Sequence, residues 1–306
     1  MTQPNRPLAA AGVIFSAMAM IAFVDSFFIR IAESAGLWQF HLLRALIALP
    51  LMLIVSRLAG IAILPRKFWP VLARAMAVSV SMLFYFGSLA FLTVPQAAAG
   101  LFTAPLWVLA LTALVLRQRI GPRRVGAICF GFLGAMLVLN PGADGISWAY
   151  AMPIAGGFLY ALGAIATRQW CDGETALAML AMFFVCMVVW GSSGIAILNA
   201  FGVEAPAGAN GLLMRAWGDL TPDATFWLVV QGFASVIGIY GLTRAYQLAE
   251  ASYVSAFEYS FLVFAAFWSA ILFADLPTAL ETLGIVMILG SGLLIALSPA
   301  ARAQTA

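Results

Sequence analysis

The chain has 306 residues, of which 64% are hydrophobic and only 9% are charged, and its formal net charge is +3. Soluble domains carry about 25% charged residues, so this composition excludes an ordinary soluble protein and indicates an integral membrane protein. The three cysteines, Cys129, Cys171 and Cys186, lack the spacing of a metal site. We therefore expect no disulfide, no metal and no cofactor.

Ten hydrophobic runs, here called spans 1 to 10, follow one another with short polar turns between them. They cover residues 8–30, 38–58, 68–92, 95–116, 121–139, 148–168, 176–199, 222–243, 251–274 and 279–298. A helix needs about 20 apolar residues to cross a membrane, and none of the runs alternates as a barrel strand does. The predicted fold class is an all-α polytopic membrane protein with ten transmembrane helices. The first run is expected to be a membrane helix and not a cleaved signal peptide, because nine more runs follow it.

Basic residues are distributed unequally between the two sides. If the N-terminus is cytoplasmic, the inner loops and span ends hold twelve of them and the outer side holds only Arg30 and Arg215. The inner set is Arg6, Arg57, Arg66, Lys67, Arg74, Arg117, Arg119, Arg123, Arg124, Arg168, Arg244 and Arg302. Both termini are therefore predicted to face the cytoplasm. The basic run at residues 117–124 is interpreted as a loop that fixes this orientation, and a lipid or nucleic-acid patch is the less favoured alternative.

Three ionisable side chains lie in the outer halves of spans 1 and 2. The short turn between the spans makes them antiparallel neighbours, so Asp25 is expected to pair with Arg44. Such a pair fixes helix packing, or it acts as an outer gate, or Arg44 binds a substrate carboxylate. His41 lies three residues into its span and is expected to be a solvated interfacial histidine, with a proton relay as the alternative.

Six aromatic residues with polar atoms lie inside spans, away from the membrane interface where such residues collect. They are Tyr85, Trp107, Tyr160, Tyr240, Tyr259 and Trp268. One interpretation is helix packing with the hydroxyls bonded to backbone carbonyls. The other is an aromatic cage that binds a flat or cationic solute. A stripe of small residues on span 5, Ala127, Gly131 and Ala135, predicts close helix packing or a dimer face.

Glu258 is the single charged residue within the apolar stretch 252–273. It lies about 12 Å into span 9 at about 1.5 Å per residue, too deep for its short side chain to reach the surface. We expect it to face protein or a water-filled cavity, with further polar partners supplied by the other half of the chain. Three interpretations remain open: a packing element, a proton-coupling site, and a carboxylate that binds a cationic substrate.

Parts of the chain repeat. At an offset of 158 residues Gly126 matches Gly284, Gly134 matches Gly292 and Pro141 matches Pro299. This predicts two halves of five spans each, residues 1–147 and 148–306, and an odd number of spans per half requires that the second is inverted. Inverted repeats are typical of secondary transporters.

Two segments resemble known repeats. Residues 240–297, YGLTRAYQLAEASYVSAFEYSFLVFAAFWSAILFADLPTALETLGIVMILGSGLLIAL, resemble the second EamA repeat of the drug/metabolite transporter superfamily, and residues 87–139 resemble the first. Such proteins carry a Gly-Glu pair at the ends of spans 4 and 9. Here the first copy reads Arg117-Gln118-Arg119 and the second Ala274-Asp275. The resemblance implies two inverted five-helix EamA repeats in a bacterial inner (plasma) membrane. It leaves open the substrate and the direction of transport.

The sequence thus favours a secondary active transporter, working by alternating access, for a small organic metabolite. Glu258 and the aromatic residues suggest an amine, amino acid or sulfonium compound, cationic or zwitterionic. The alternatives are a carrier of a flat aromatic metabolite such as riboflavin, and a channel or non-transporting membrane protein. An enzyme is not expected, because no catalytic constellation or phosphate loop is found. The expected partners are the small-molecule substrate and membrane lipid, with no nucleic acid; proton coupling or exchange and a homodimer are left open.

Overall fold

The computed structural model describes residues 6–92, 94–139, 148–208, 211–274 and 276–296. These residues form helices and turns and contain no strand, which confirms the all-α prediction. The predicted boundary after residue 147, the Pro141 and Pro299 match, and Asp275 lie outside the described residues.

Nine spans in the described part of the chain are long and apolar enough to cross a membrane. A tenth apolar helix, Ala279–Ala296, follows them, and together they confirm a multi-pass membrane protein. The unbroken spans are Pro7–Asp25, Leu37–Ala59, Phe68–Ser88, Pro122–Leu139, Ala151–Gln169, Ala176–Ala200, Pro222–Leu248 and Ala279–Ala296.

Local signals set several of these ends. Span 8 begins after Thr221, whose hydroxyl accepts the Ala224 N–H at 3.1 Å, and Pro222 occupies the first turn, where a missing N–H costs nothing. Span 2 ends at Gly60, whose φ of 64° suits the left-handed cap that glycine adopts most readily. Span 1 ends at Asp25, earlier than predicted, and a short helix, Phe28–Ala32, continues from it.

Spans 4 and 9 are both discontinuous, which the sequence analysis did not predict. Span 4 consists of Val94–Leu101 and Ala104–Leu114, and Pro105 explains the break because it lacks an N–H and its ring clashes with the carbonyl four residues earlier. Span 9 consists of Ala251–Val254, a 3-10 stretch at Ser255–Tyr259, and Ser260–Phe273. A 3-10 stretch in the middle of a helix often marks a functional hinge.

The packing of the spans has an internal symmetry. Extensive contacts join span 5 to span 10, span 3 to span 6, span 1 to span 8, and span 2 to span 7. The set of contacting pairs stays the same when each span is replaced by its counterpart five places along the chain, for example span 3 by span 8 and span 6 by span 1. Spans 4 and 9 are counterparts in this sense, and both are broken. The division into two five-span repeats stays a prediction, and the symmetry of the packing supports it.

Spans 5 and 10 approach each other closely through small residues. A Cβ atom on Gly134 would lie 2.7 Å from the carbonyl oxygen of Gly284, and one on Gly131 would lie 2.7 Å from the Ser291 hydroxyl. Ser291 also donates a hydrogen bond to the carbonyl of Ala127 at 2.7 Å. The stripe on span 5 therefore packs inside the protein, as one of its two interpretations predicted, and is not available as a dimer face.

Candidate functional site

A cavity in the described part of the chain lies among spans 1, 2, 3, 4, 6, 7, 8 and 9. Its volume is about 140 Å³ without the open space at its mouth. Most of its wall is apolar and aromatic: Tyr85, Phe86, Phe102, Tyr160, Phe183 and Phe261 all contribute. The breaks in spans 4 and 9 both reach this wall, through Phe102 and Glu258.

Glu258 forms the centre of one polar region of the cavity. Its side chain is 4% exposed, and its Oε1 accepts hydrogen bonds from the hydroxyl of Tyr160 at 2.7 Å and from the hydroxyl of Tyr246 at 2.8 Å. The break in span 9 positions the carboxyl group, because Glu258 belongs to the 3-10 stretch. Both hydroxyls come from spans 6 and 8, so the expectation that the other half of the chain supplies the partners is wrong.

Asp25 and Arg44 line the cavity in a second polar region. Asp25 and Arg44, both among the described residues, form no ion pair within 4.0 Å, so the expected direct pairing of Asp25 with Arg44 is wrong. Asp25 instead accepts a hydrogen bond from Gln231 Nε2 at 3.1 Å, and the same nitrogen donates to the carbonyl of Val24 at 3.2 Å. Span 8 thus supplies the partner that span 2 was expected to give.

The guanidinium of Arg44 packs against the aromatic rings of Phe40 and Phe86. Its Cζ lies 4.9 Å from the centre of the Phe40 ring and 5.7 Å from that of Phe86, at distances typical of cation–π contacts. Its Nη2 is 3.3 Å from Nδ1 of His41. His41 itself is fully buried, which corrects the expectation of a solvated interfacial histidine: the inner face of span 2 packs it against Phe40 and Phe86.

Of the six predicted aromatic residues, Tyr85 and Tyr160 line the cavity and the other four do not. Trp107 is 36% exposed on the outside of the bundle and contacts Phe158. Trp268 donates its indole N–H to the carbonyl of Ala19 at 3.0 Å. Tyr259 is fully buried between Phe102 and Gly131, and Tyr240 packs against the cluster around span 7. One cage built from all six is therefore wrong.

Several residues that line the cavity or bond its polar groups were missed by the sequence analysis. Gln231 and Ser235 are polar residues inside span 8, and the rule that flagged the ionisable groups would have found them if extended to amides and hydroxyls. Tyr246 was missed because the apolar run was ended too early, at residue 243. Phe86, Phe102, Phe183 and Phe261 carry no signal in a chain with 23 phenylalanines.

The predicted location of Arg74 also differs from the observed one. It was counted among the inner loops and ends, but it is buried within span 3 at 5% exposure. Its guanidinium donates to the hydroxyls of Thr167 and Thr243, both at 3.1 Å, and to the carbonyl of Met179 at 3.4 Å. Arg74 therefore ties spans 6, 7 and 8 to span 3 through neutral oxygens.

On each side of the bundle, hydrogen bonds join the start of one span to a connection between two other spans. On one side, Gln39 of span 2 bonds Gly218 in the connection between spans 7 and 8, and Arg215 in that connection donates to the carbonyls of Ala35 and Gly208 at 3.0 and 2.7 Å. On the other side, the carboxylate of Glu174, between spans 6 and 7, accepts the backbone N–H groups of Arg66 and Lys67. We call these the Gln39 contact and the Glu174 contact. They are counterparts: the first joins the start of span 2 to the connection between spans 7 and 8, and the second joins the start of span 7 to the connection between spans 2 and 3.

The comparisons with known proteins agree with this architecture. Residues 8–140 match the model of the EamA-like transporter family. The match identifies the first part of the chain as an EamA domain. A riboflavin transporter of Rhizobium johnstonii is 27% identical to this protein over 86% of the chain and 80% of the relative. The pseudopaline exporter CntI of Pseudomonas aeruginosa is 25% identical over 80% of this chain and 81% of the exporter.

A solved crystal structure shares the fold of this protein. It superposes with a TM-score of 0.76 over 94% of this chain and 98% of that one, at 15% sequence identity. At this identity the likeness shows the fold alone. The family and the transporters among its relatives make the chain a membrane transporter and not an enzyme.

Proposed function

We propose that the protein is a secondary transporter that carries a flat, ring-bearing organic metabolite through its central cavity by alternating access, and that riboflavin is the first candidate. The observation that carries this proposal is the aromatic wall between two polar regions. Six aromatic rings surround the cavity, while Asp25, Arg44 and Gln231 form one polar region and Glu258 with Tyr160 forms the other. A ring system that carries hydrogen-bonding groups complements such a wall.

The mixed charges on the cavity wall disfavour a simple organic cation as the substrate. Arg44 faces the same cavity as Asp25 and Glu258, so a solute with only positive charge would approach one favourable carboxylate at the cost of repulsion elsewhere. A neutral ring with donors and acceptors meets no such conflict. The name of the relative from Rhizobium johnstonii, a riboflavin transporter, supports the same choice.

A zwitterionic amino-acid-like metabolite is the second candidate. It is favoured by the presence of a guanidinium and two carboxylates in one cavity, because such a solute carries both a carboxylate and an ammonium group. The pseudopaline exporter among the relatives is the comparison that supports it. An inner membrane location with both termini in the cytoplasm, and coupling to protons or exchange, are parts of the proposal that the experiments below address.

Uptake into proteoliposomes tests the proposal. Vesicles that contain the purified protein should take up riboflavin with saturation, without ATP, and faster when they are preloaded with unlabelled riboflavin. Replacing Phe102 by Ala removes a ring from the wall and should reduce uptake about tenfold, since stacked aromatic contacts and lost apolar area together contribute on the order of 1–3 kcal/mol. Trp107→Phe, on the outside of the bundle, is the matched control and should transport normally. Uptake that never saturates would indicate a channel, and no specific uptake of riboflavin would reject it as the substrate.

A further inference from the structure

Arg44 has unused hydrogen-bonding capacity inside the cavity. A guanidinium carries five N–H donors, yet its one hydrogen-bonding contact to a described side chain is the 3.3 Å contact with His41. Its Nε is buried without a partner, although the residue is only 4% exposed. A buried donor without an acceptor costs roughly 1–3 kcal/mol. Since Arg44 lines the cavity, a molecule inside the cavity is well placed to supply the missing acceptor.

His41 and the two phenylalanines fix the direction of the guanidinium. The rings of Phe40 and Phe86 cover it at 4.9 and 5.7 Å. If Nδ1 of His41 accepts the hydrogen bond from Arg44, the imidazole proton resides on Nε2, which is itself buried without a partner. The guanidinium is thus preorganised on one wall of the cavity, and preorganisation reduces the entropy lost when a ligand binds.

Asp25 offers the complementary group. Its Oδ1 accepts from Gln231 at 3.1 Å, and the carboxylate lines the same cavity as Arg44 while remaining beyond 4.0 Å of it. Gln231 is held in turn by the carbonyl of Val24, so Asp25 is fixed from span 8. A carboxylate only accepts hydrogen bonds and a guanidinium only donates them. Two such groups, fixed on one wall and not paired with each other, match a ligand that presents an acceptor next to an N–H donor.

We propose that Asp25 and Arg44 form a head-group site that binds an acceptor and an N–H donor presented side by side by the transported molecule. This inference rests on the proposed function and specifies how the substrate lies in the cavity. An imide edge of a flavin ring supplies the two groups as C=O and N–H, and the head of a zwitterionic amino acid supplies them as carboxylate and ammonium. In either case the remainder of the molecule extends along the aromatic wall towards Glu258.

Binding measurements on the purified full-length protein test the site with blocked ligands. Riboflavin is compared with N3-methylriboflavin, which lacks the imide N–H, by quenching of flavin fluorescence. For the zwitterionic alternative, tryptophan is compared with tryptamine, which lacks the carboxylate, by calorimetry. We expect the blocked member of the pair that binds to lose about tenfold or more in affinity, because hydrogen bonds to charged groups are among the stronger ones.

Conservative variants connect this loss to the two residues. Asp25→Asn keeps the size of the side chain and Arg44→Lys keeps its charge. Asp25→Asn should weaken binding of riboflavin about tenfold while changing binding of N3-methylriboflavin little, and Arg44→Lys should do the same for tryptophan relative to tryptamine, because each blocked ligand already lacks the group that the changed residue binds. Trp107→Phe should bind both ligands as the wild type does. Equal binding of the intact and blocked ligands to the wild type would overturn the head-group site and leave the proposed function standing, as would equal losses for both ligands of a pair in the variant matched to it. If the wild type binds neither riboflavin nor tryptophan, both the proposed function and the head-group site are rejected.

Discussion

Gln39 and Gly218 are joined by two hydrogen bonds that run in opposite directions between one side chain and the backbone of one glycine. Gln39 Oε1 accepts the N–H of Gly218 at 2.8 Å, and its Nε2 donates to the Gly218 carbonyl at 2.9 Å. A Cβ atom on Gly218 would lie 1.9 Å from the carbonyl oxygen of Ser34, so only glycine allows this approach. The connection between spans 7 and 8 is therefore fastened to the start of span 2.

The Gln39 contact and the Glu174 contact lie on opposite sides of the bundle, and alternating access requires that one side opens while the other stays closed. We predict that Gln39→Ala and Glu174→Ala open opposite sides. A cysteine placed at Ser235, which lines the cavity, should react faster with an impermeant thiol reagent in intact cells for one variant and in inverted vesicles for the other. Exposed Cys129 is first replaced by Ser.

Arg30→Ala is the control for this labelling experiment. Its ion pair with Asp223 joins the short helix Phe28–Ala32 to the first turn of span 8. The pair is about half exposed at both partners, and exposed pairs contribute little. This variant should leave the labelling rates of both preparations unchanged. An increase from the same side for Gln39→Ala and Glu174→Ala would contradict the assignment of the two contacts to opposite gates.

The sequence was sufficient for the spans because the apolar runs are long and separated by polar turns, which is a strong local signal. It was sufficient for Glu258 as well, since an acidic residue deep in a span is costly without a partner. The partners were not predictable. Tyr160 and Tyr246 meet Glu258 only through the packing of spans 6, 8 and 9, and nothing local to those residues indicates which face of a uniformly apolar helix turns inward.

The expected pair of Asp25 with Arg44 shows the same limit more sharply. Depth was inferred correctly enough that both residues line one cavity. The neighbour relation was wrong, because span 8 packs against both span 1 and span 2 while those two spans share few contacts. The two spans carry apolar residues on all sides and lack an amphipathic stripe that would indicate which neighbour each one faces. Gln231 therefore replaced Arg44 as the partner of Asp25, and Arg74, counted as an end residue, is buried among three helices.

Orientation in the membrane is tested by two introduced cysteines. On the basic-residue asymmetry, the loop at 117–124 is predicted to be cytoplasmic and the connection between spans 7 and 8 to be external. In a background without Cys129, Glu204→Cys should react with an impermeant reagent in intact cells and Arg119→Cys should react only after the membrane is permeabilised. Both positions are exposed, so access depends on sidedness alone. The reverse labelling pattern would invert the topology.

The close approach of spans 5 and 10 predicts a difference between two glycines of the same helix. A Cβ atom on Gly134 would lie 2.7 Å from the carbonyl oxygen of Gly284, whereas one on Gly126 would meet nothing within 4 Å. Gly134→Ala should destabilise the protein by about 1–3 kcal/mol because the helices must move apart. Gly126→Ala should be neutral or slightly stabilising, since alanine favours a helix. Thermal unfolding in detergent measures both, and equal melting temperatures for the two variants would refute the close packing.

The tyrosine hydroxyls that donate to Glu258 allow the contribution of these hydrogen bonds to stability to be measured without changing Glu258 itself. Tyr246 is 2% exposed and donates to Glu258 at 2.8 Å without lining the cavity. Tyr246→Phe should therefore destabilise the protein by about 1.5–3 kcal/mol, the scale of one hydrogen bond to a charged group. Tyr253, buried with a hydroxyl that has no partner, is the matched control, and Tyr253→Phe should unfold at the wild-type temperature. A loss of stability as large in Tyr253→Phe would mean that the effect comes from repacking and not from the bond to Glu258.

Glu258→Gln then separates the three interpretations of this residue. The amide keeps the size of the side chain, and its oxygen still accepts from Tyr160 and Tyr246, so the variant should fold with a melting temperature near that of the wild type. It loses the charge and the ability to exchange a proton. If Glu258 couples transport to protons or binds a positive group of the substrate, uptake into proteoliposomes should fall at least about tenfold, equivalent to 1.4 kcal/mol, and the remaining uptake should no longer vary with pH. Measuring both binding and uptake distinguishes the two roles, because a coupling residue changes the response to a pH gradient while a binding residue changes affinity. Uptake by Glu258→Gln at the wild-type rate and with the wild-type pH dependence would leave only the packing role, in which the carboxyl group serves to hold spans 6, 8 and 9 together through its two tyrosines.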